Sequence, residues 1–296
     1  MNTNKLGDAG FLIVATGDEF VEQAELAAKR VKQVTDYPVA LISDRDPGAE
    51  CFDSVIPIED PVHGFGDKPY NIHRTPFDRT ILIDADFYVS ERTTELFRLL
   101  DDAEMAACLD ERNMDREETR ELFDDVPLAF PECNTGLIAF RNTDTVQALF
   151  EQWRDLYSPD HVNDQKSFLA ALYRSDVDFT AISGHYNVIA SNHVRGTVHG
   201  IHDIWNEVHT LERVEQRFEK YNKERWSRFL VRNTATIIAA GDGLLDNLFA
   251  ALYDRALYTL YLRDRSISSL KERGLSATLI RGVRFVTPFV PTEPRE

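Results

Sequence analysis

Short apolar runs alternate with helical patterns through the first 110 residues, and this alternation limits the possible folds more than any other feature of the chain. Apolar residues recur at helical spacing over 20–34, and a second helix is expected near 92–101. Strands and helices in this order are typical of an open, mainly parallel α/β sheet, in which ligands bind beyond the carboxyl ends of the strands. The strand-like runs are 11–17, 38–44, 54–60, 80–86 and 105–110.

Aspartates stand at the ends of these runs. Three of the five are equally compatible with a role as helix caps alone, and together the five predict an acidic rim that attracts a metal ion. Asp84 and Asp86 close the run "TILIDAD", and the alternation of strand side chains predicts that both carboxylates point the same way. Such an oxygen pair suits Mg²⁺ or Mn²⁺, with the remaining coordination positions left to a diphosphate. The rim residues are Asp18, Asp44, Asp84, Asp86 and Asp110.

Composition narrows the possible partners and the cellular setting. The formal net charge is −17, with 8 Lys and 25 Arg, so a nucleic-acid partner is disfavoured. Few lysines and many acidic residues are typical of proteins from salt-accumulating halophiles; an ordinary acidic soluble protein is the alternative. Three widely spaced cysteines give no disulfide framework, and no long uncharged apolar run is present, so we expect a cytoplasmic protein.

The second half of the chain changes character near residue 206. Before that point we expect further strands and helices; after it the pattern is helical to about residue 275, without clear strands. We therefore predict a catalytic domain over 1–205 and a helical C-terminal extension over 206–296. The extension is expected to pack on the catalytic domain, to form a homodimer, or to contact the inner face of a membrane. The expected elements before 206 are strands at 133–140 and 179–190, helices at 143–157 and 163–175, and a β segment within 196–205.

Four motifs in order resemble those of the retaining, glycogenin-like (family 8) glycosyltransferases with a GT-A fold. The first is "PYNIHRTPFDRTILIDADFYVS", with Lys68 just before it, and the second is "CNTGLIAF" followed by a helix. The third is "NDQKSFLAAL" and the fourth is "GTVHGIH". The resemblance covers about 1–205 and implies a Rossmann-like, mixed but mainly parallel central sheet with flanking helices. It also implies a sugar transferred from a nucleotide-diphosphate donor to an acceptor, a glycan, a lipid-linked sugar or a protein.

The resemblance also implies roles for individual residues. Asp84, Asp86 and His202 would bind Mn²⁺ or Mg²⁺, and an imidazole ligand favours Mn²⁺. Asp164 and Gln165 would lie beside the donor sugar as the catalytic pair. The donor would be bound by Ala15, Thr16, Asp18, Lys68, Asp84, Asn134, Thr135 and Gly136, the first three of them around the nucleotide base.

Some features depart from the family pattern or leave alternatives open. The Gly-x-x-Lys that follows the last histidine in the family is missing, and the aromatic pair Phe87-Tyr88 is bulkier than the usual residues. His193 or His199 are alternative ligands to His202. Two other functions remain open: a haloacid-dehalogenase-type Mg²⁺-dependent phosphatase, for which 237–246 would supply a second acidic motif, and a non-catalytic binding domain.

Overall fold

The computed structural model describes residues 6–110, 122–161, 163–189, 193–194, 197–202, 210–222, 226–231 and 234–239. Thirteen strands lie in these segments: β1 Gly7–Val14, β2 Val39–Ser43, β3 Ser54–Pro57, β4 Phe77–Ile83, β5 Phe87–Val89, β6 Met105–Leu109, β7 Cys133–Arg141, β8 Phe179–Ile182, β9 Val188–Ile189, β10 His193–Val194, β11 Gly200–His202, β12 Trp226–Val231 and β13 Thr234–Ala239. The α-helices are α1 Asp18–Val34, α2 Asp67–Asn71, α3 Leu96–Leu99, α4 Asp144–Leu156, α5 Gln165–Arg174 and α6 Leu211–Asn222. Three 3₁₀ turns, Ile72–Arg74, Glu91–Glu95 and Gly184–Tyr186, complete the set.

Seven strands form the central sheet in the order β3-β2-β1-β4-β7-β6-β8. Strand β7 runs antiparallel to β4 and β6, whereas the other pairings are parallel. The mixed, mainly parallel sheet expected from the sequence is thereby confirmed. Because β1, β2 and β4 are parallel neighbours, the loops that follow them meet at one edge of the sheet.

Side chains of the central strands are buried on both faces. Phe11 and Ile13 of β1 pack into one core with α1, while Leu12 between them packs into the other. The second core contains Phe150 and Trp153 of α4. Burial on both faces explains why the parallel strands appear in the sequence as continuous apolar runs rather than as an alternating pattern.

A small sheet with the order β5-β11-β9 stands beside the central one. Strand β11 pairs antiparallel with β5, so that His202 lies opposite Phe87. Phe87 and Tyr88, the aromatic pair that departs from the family pattern, are buried core residues. Both belong to the same core as the buried residues of α1, a structural role that the sequence did not indicate.

The structure corrects several predicted elements. The helix expected near 92–101 is a 3₁₀ turn followed by the single turn α3, and the strand expected over 80–86 ends at Ile83. Residues 206–275 were expected to lack strands, but β12 and β13 lie there and belong to a three-stranded sheet with β10. Residues 240–296, which include most of the predicted helical extension, lie outside the described residues.

The chain divides into two compact units, residues 1–224 with 228–237 and residues 225–227 with 238–296. The boundary at 205/206 stays a prediction. Among the described residues, no helix combines the length and the apolar character needed to cross a membrane.

Candidate active site

Asp84 and Asp86 lie in the turn between β4 and β5, not on a strand as predicted. The backbone N–H of Asp84 donates to the carbonyl of Gly136 (3.0 Å), and the N–H of Phe87 donates to the carbonyl of Asp84 (3.0 Å). Ala85, between the aspartates, is buried. The turn, anchored to β7 and closed on itself, therefore directs the two carboxylates, whereas the sequence argument relied on strand pleating.

His202, at the end of β11, completes a cluster with these two aspartates. Its Nε2 lies 3.4 Å from Asp86 Oδ1 and 3.7 Å from Asp84 Oδ2. The imidazole is buried and lies against the ring of Phe87, with ring centroids 5.7 Å apart. Burial by itself raises the pKa of Asp86, but the hydrogen bond and charge of His202 outweigh it and lower that pKa. The carboxylate of Asp86 is thus favoured in its ionised form.

Glycine at position 136 makes room for the imidazole of His202. A Cβ added at Gly136 would lie 2.3 Å from Cε1 and 2.7 Å from Nδ1 of that ring. Real Cβ atoms do not approach this closely, so a larger residue at 136 would displace the histidine. The Asn-Thr-Gly motif and the late histidine motif are therefore in direct van der Waals contact.

The three side chains fit a divalent ion. One potential ligand atom from each of Asp84, Asp86 and His202 lies within 4.8 Å of the others, and this is the one such group found among the described residues. Adjacent ligands of an octahedral ion at about 2.1 Å lie about 3 Å apart, so a modest inward movement would close the observed gaps. Two carboxylates and an imidazole are a donor set found for divalent metal ions in proteins.

Lys68 of α2 is a buried cation between two carboxylates. Its Nζ lies 2.7 Å from Asp84 Oδ1 and 3.3 Å from Asp164 Oδ2, and donates to the carbonyl of Thr135 (3.2 Å). Burial by itself lowers the pKa of Lys68, but the two carboxylates outweigh it and raise the pKa. The lysine therefore stays charged and offsets the negative charge of the D-x-D motif.

Asp164 immediately precedes α5 and is buried. Its Oδ1 accepts a hydrogen bond from the Thr135 hydroxyl (3.1 Å), and its backbone carbonyl accepts one from the Trp153 indole (3.0 Å). Its approach to Lys68 through Oδ2 is an ion pair without hydrogen-bond alignment. Burial raises the pKa of Asp164, and Lys68 limits the rise. The Asp164 side chain makes no capping hydrogen bond to the described residues of α5; it contacts Thr135 and Lys68 instead.

Asn134 and Gln165 form a line of side-chain amides beside this cluster. Asn134 Nδ2 donates to Gln165 Oε1 (2.9 Å), and Asn134 Oδ1 accepts from the N–H of Gly136 (3.0 Å) and from Asn187 Nδ2 (2.8 Å). At the other end, Gln165 Nε2 donates to Asp110 Oδ2 (3.1 Å) and Glu132 Oε1 (3.2 Å). Sequence reasoning named Asn134, Gly136 and Gln165 as site residues and Asp110 as a rim residue, but it missed Glu132 and Asn187.

The predicted nucleotide residues lie at the end of β1. Ala15 and Thr16 are buried, and the Thr16 hydroxyl donates to Asp67 Oδ2 (2.6 Å). Asp18 is exposed and pairs with Arg45. Asp67 and Lys68 are consecutive in α2, so one helix connects the end of β1 to Asp84. Sequence reasoning missed Asp67, because an acidic residue in a Gly-rich loop resembles an ordinary surface residue.

The alternative histidine ligands and the phosphatase-like segment are not seen at the cluster of Asp84, Asp86 and His202 within the part of the chain that the structure describes. His199 packs on Tyr186, with ring centroids 4.8 Å apart, and is not part of the three-residue group. The side chain of His193 lies outside the described residues, as do residues 240–246 of the phosphatase-like segment. Of the two candidate histidines whose side chains are described, His202 lies at the aspartates and His199 does not.

Comparison with known proteins gave structural similarity only. No protein-family model matches the sequence, and no curated protein matches it. Mouse xyloside xylosyltransferase 1 is 13% identical with a TM-score of 0.48, over 68% of this chain and 99% of that one. Galactosyltransferase LgtC (15%, TM-score 0.49) aligns over 67% and 87%, and glycosyltransferase GlyE of Streptococcus pneumoniae TIGR4 (15%, 0.49) over 71% and 60%.

Proposed function

We propose that the chain is a metal-dependent glycosyltransferase with a GT-A fold, which transfers a sugar from a nucleotide-diphosphate donor with retention of the anomeric configuration. The observation that carries this proposal is the cluster of Asp84, Asp86 and His202 at the carboxyl edge of a mainly parallel sheet, with buried Lys68 and Asp164 beside it. The first, third and fourth sequence motifs supply four of these residues, and Lys68 immediately precedes the first motif. Retention rests on the resemblance of the motifs alone.

In this proposal Asp84, Asp86 and His202 hold Mn²⁺ or Mg²⁺. The bound ion would stabilise the negative charge of the leaving diphosphate. The protein's own contribution is to hold the three ligands in place: the turn anchored to Gly136 fixes the aspartates, and the pairing of β11 with β5 fixes the histidine. Lys68 orients Asp84 by pairing with Oδ1, which leaves Oδ2 on the side of His202.

The donor would extend from the cluster in two directions. Towards the end of β1, Ala15, Thr16 and Asp18 would surround the nucleotide base. Towards α5, the sugar would contact the segment of Asn134, Thr135 and Gly136, with Asp164 and Gln165 as the catalytic pair. The buried polar network of these residues supports a pre-organised sugar pocket, because side chains already fixed by hydrogen bonds lose little entropy when a ligand binds.

The proposal is tested by screening UDP-, GDP- and dTDP-sugars in a buffer of high KCl concentration. We expect one nucleotide class to raise the melting temperature only with Mn²⁺ or Mg²⁺, and one of its sugars to be released or transferred at a rate that EDTA abolishes. Asp86→Ala should lose both effects. Asp101→Asn, at an exposed aspartate that pairs with Arg79, is the matched control and should behave as wild type.

Two results would contradict the proposal. Stabilisation by nucleotide-sugars without metal, or equally strong in Asp86→Ala, would favour a non-catalytic binding domain. Turnover of a generic phosphomonoester with Mg²⁺, abolished by Asp84→Asn and unaccompanied by any nucleotide-sugar turnover, would favour the phosphatase. If the screen identifies a donor, the acceptor is sought next among glycans, lipid-linked sugars and proteins.

A further inference from the structure

Glu132 is a buried carboxylate that none of the four motifs includes. It lies one residue before β7 and is 3% exposed, and its Oε1 accepts a hydrogen bond from Gln165 Nε2 (3.2 Å). Asp110 follows β6, and its backbone N–H donates to the Glu132 carbonyl (2.8 Å) while its Oδ2 also accepts from Gln165 Nε2 (3.1 Å). Two carboxylates thus converge on one nitrogen of one side-chain amide.

This convergence fixes which end of the Gln165 amide is the oxygen. The side-chain oxygens Asp110 Oδ2 and Glu132 Oε1 are the acceptors at this end of Gln165, so the end that faces them is the NH₂ group. The orientation of Asn134 is fixed in the same way, since its Oδ1 accepts from the N–H of Gly136 and from Asn187. Its Nδ2 is then directed at Gln165 Oε1 (2.9 Å), and the two assignments agree.

The oxygen of Gln165 therefore faces the side of the proposed sugar pocket. This oxygen contacts Asn134, which lies two residues before Gly136. Gly136 packs against the His202 ring, and its carbonyl accepts a hydrogen bond from the N–H of Asp84. An amide oxygen has two lone pairs, and Asn134 uses one of them. Glycosyl transfer develops positive charge at the sugar's anomeric carbon, and a carbonyl oxygen stabilises that charge whereas an NH₂ group opposes it.

We propose that Glu132 is a positioning residue for sugar transfer, because its buried carboxylate holds the Gln165 amide with Oε1 towards the donor sugar. The inference rests on the proposed glycosyltransferase function and adds a residue to it. Asp110 also accepts a hydrogen bond from Gln165 Nε2, but Glu132 is the more buried of the two carboxylates. It acts on the sugar through Gln165 and does not contact the reacting atoms.

The first test replaces Glu132 by Gln, which keeps the shape but can present an NH₂ group to Gln165. We expect kcat of Glu132→Gln to fall about 10- to 100-fold, the range seen when the residue that orients an active-site group is removed. The donor KM and the Mn²⁺ affinity should stay within about twofold, since metal and donor ligands are untouched. Glu104→Gln is the matched control: Glu104 also accepts two hydrogen bonds, from Thr143 Oγ1 (2.7 Å) and Asp178 N (3.2 Å), away from the site.

The second test asks whether the effect of Glu132→Gln on kcat and on the urea midpoint reverses in a Gln165→Glu background. Gln165→Glu would place a third carboxylate against Asp110 and Glu132, so we expect a lower urea midpoint and a lower kcat than in wild type. Adding Glu132→Gln to this variant supplies an NH₂ donor to the new carboxylate. The same substitution that harms the wild type should therefore raise both the urea midpoint and the kcat of Gln165→Glu.

The outcomes separate the inference from the function on which it rests. If the wild type turns over a nucleotide-sugar and Glu132→Gln matches it in kcat, the positioning role is wrong and the glycosyltransferase proposal stands. A fall in kcat with an equal rise in KM, or a loss shared by Glu104→Gln, overturns it too. If the wild type turns over none, the catalytic role falls with the proposed function. The urea midpoints still test the orientation of the amide: absence of the reversal refutes it.

Discussion

Gly136→Ala is the change that tests the site most directly, because it removes no ligand atom. The new Cβ would lie 2.3 Å from His202 Cε1, whereas non-bonded carbons rest about 3.5 to 4.0 Å apart. The imidazole or the β7 backbone must therefore move by about 1.2 Å. Metal–ligand distances tolerate about 0.2 Å, so we expect His202 to leave the coordination sphere.

The expected loss is large in metal affinity and moderate in stability. Loss of one of three protein ligands should weaken Mn²⁺ binding at least about 100-fold, which corresponds to about 2.7 kcal/mol. Overpacking of this kind typically lowers the free energy of unfolding by about 1–3 kcal/mol. Both are measured on the same protein, the first by calorimetric titration with Mn²⁺ and the second by urea unfolding without metal.

Two further variants make the result interpretable. Gly184→Ala is the matched control, because an added Cβ meets no atom within 4 Å there. In a His202→Ala background the main clash is gone, so Gly136→Ala should cost at least about 1 kcal/mol less than in wild type. Wild-type Mn²⁺ affinity in Gly136→Ala, or an equal cost in both backgrounds, would refute the contact and with it the assignment of His202 as a ligand.

Three other predictions concern buried polar groups. Lys68→Met leaves the buried carboxylate of Asp164 without its cation and should lower the free energy of unfolding by about 3–5 kcal/mol in urea; adding Asp164→Asn should restore part of it, and no difference between the two variants would contradict the ion pair. Thr16→Val removes the donor to Asp67 and should cost about 1–3 kcal/mol, with Thr16→Ser close to wild type; an equal loss in both would implicate packing instead. Burial raises the pKa of the Cys108 thiol, so its stabilising contribution is complete below the unfolded thiol pKa of about 8.5 and decreases as the pH rises above it. Urea unfolding between pH 7 and 9.5 should therefore show a decline that Cys108→Ala reduces, and an unchanged slope would refute the shift.

The sequence predicted the sheet well because its signal is local. Continuous apolar runs separated by helical spacing indicate parallel strands, and β2 and β6 lie where those runs predict them, whereas β1 and β4 each begin and end three or four residues earlier than predicted. The extent of a strand is less local. The run 80–86 is equally compatible with a strand that continues through Asp86 and with one that ends at Ile83, and the hydrogen bond from Asp84 to Gly136 decides for the turn. That partner is 52 residues away, so no window of the sequence contains it.

The burial of charged side chains is also difficult to predict from a local stretch of sequence. Hydropathy assigns Lys68 and Glu132 to the surface, because an isolated charge is costly to bury. Each is buried here in contact with polar partners: Asp84 and Asp164 offset the charge of the lysine, and the Gln165 amide donates a hydrogen bond to the glutamate. Such partners are recognisable only when two distant motifs are placed side by side. The four motifs predicted which segments meet, but the atoms that bind one another follow from the register of β7 against β4 and β6. For the same reason we expect a mutation at Glu132, which lies outside every motif, to alter the chemistry of Gln165, which lies inside the third motif.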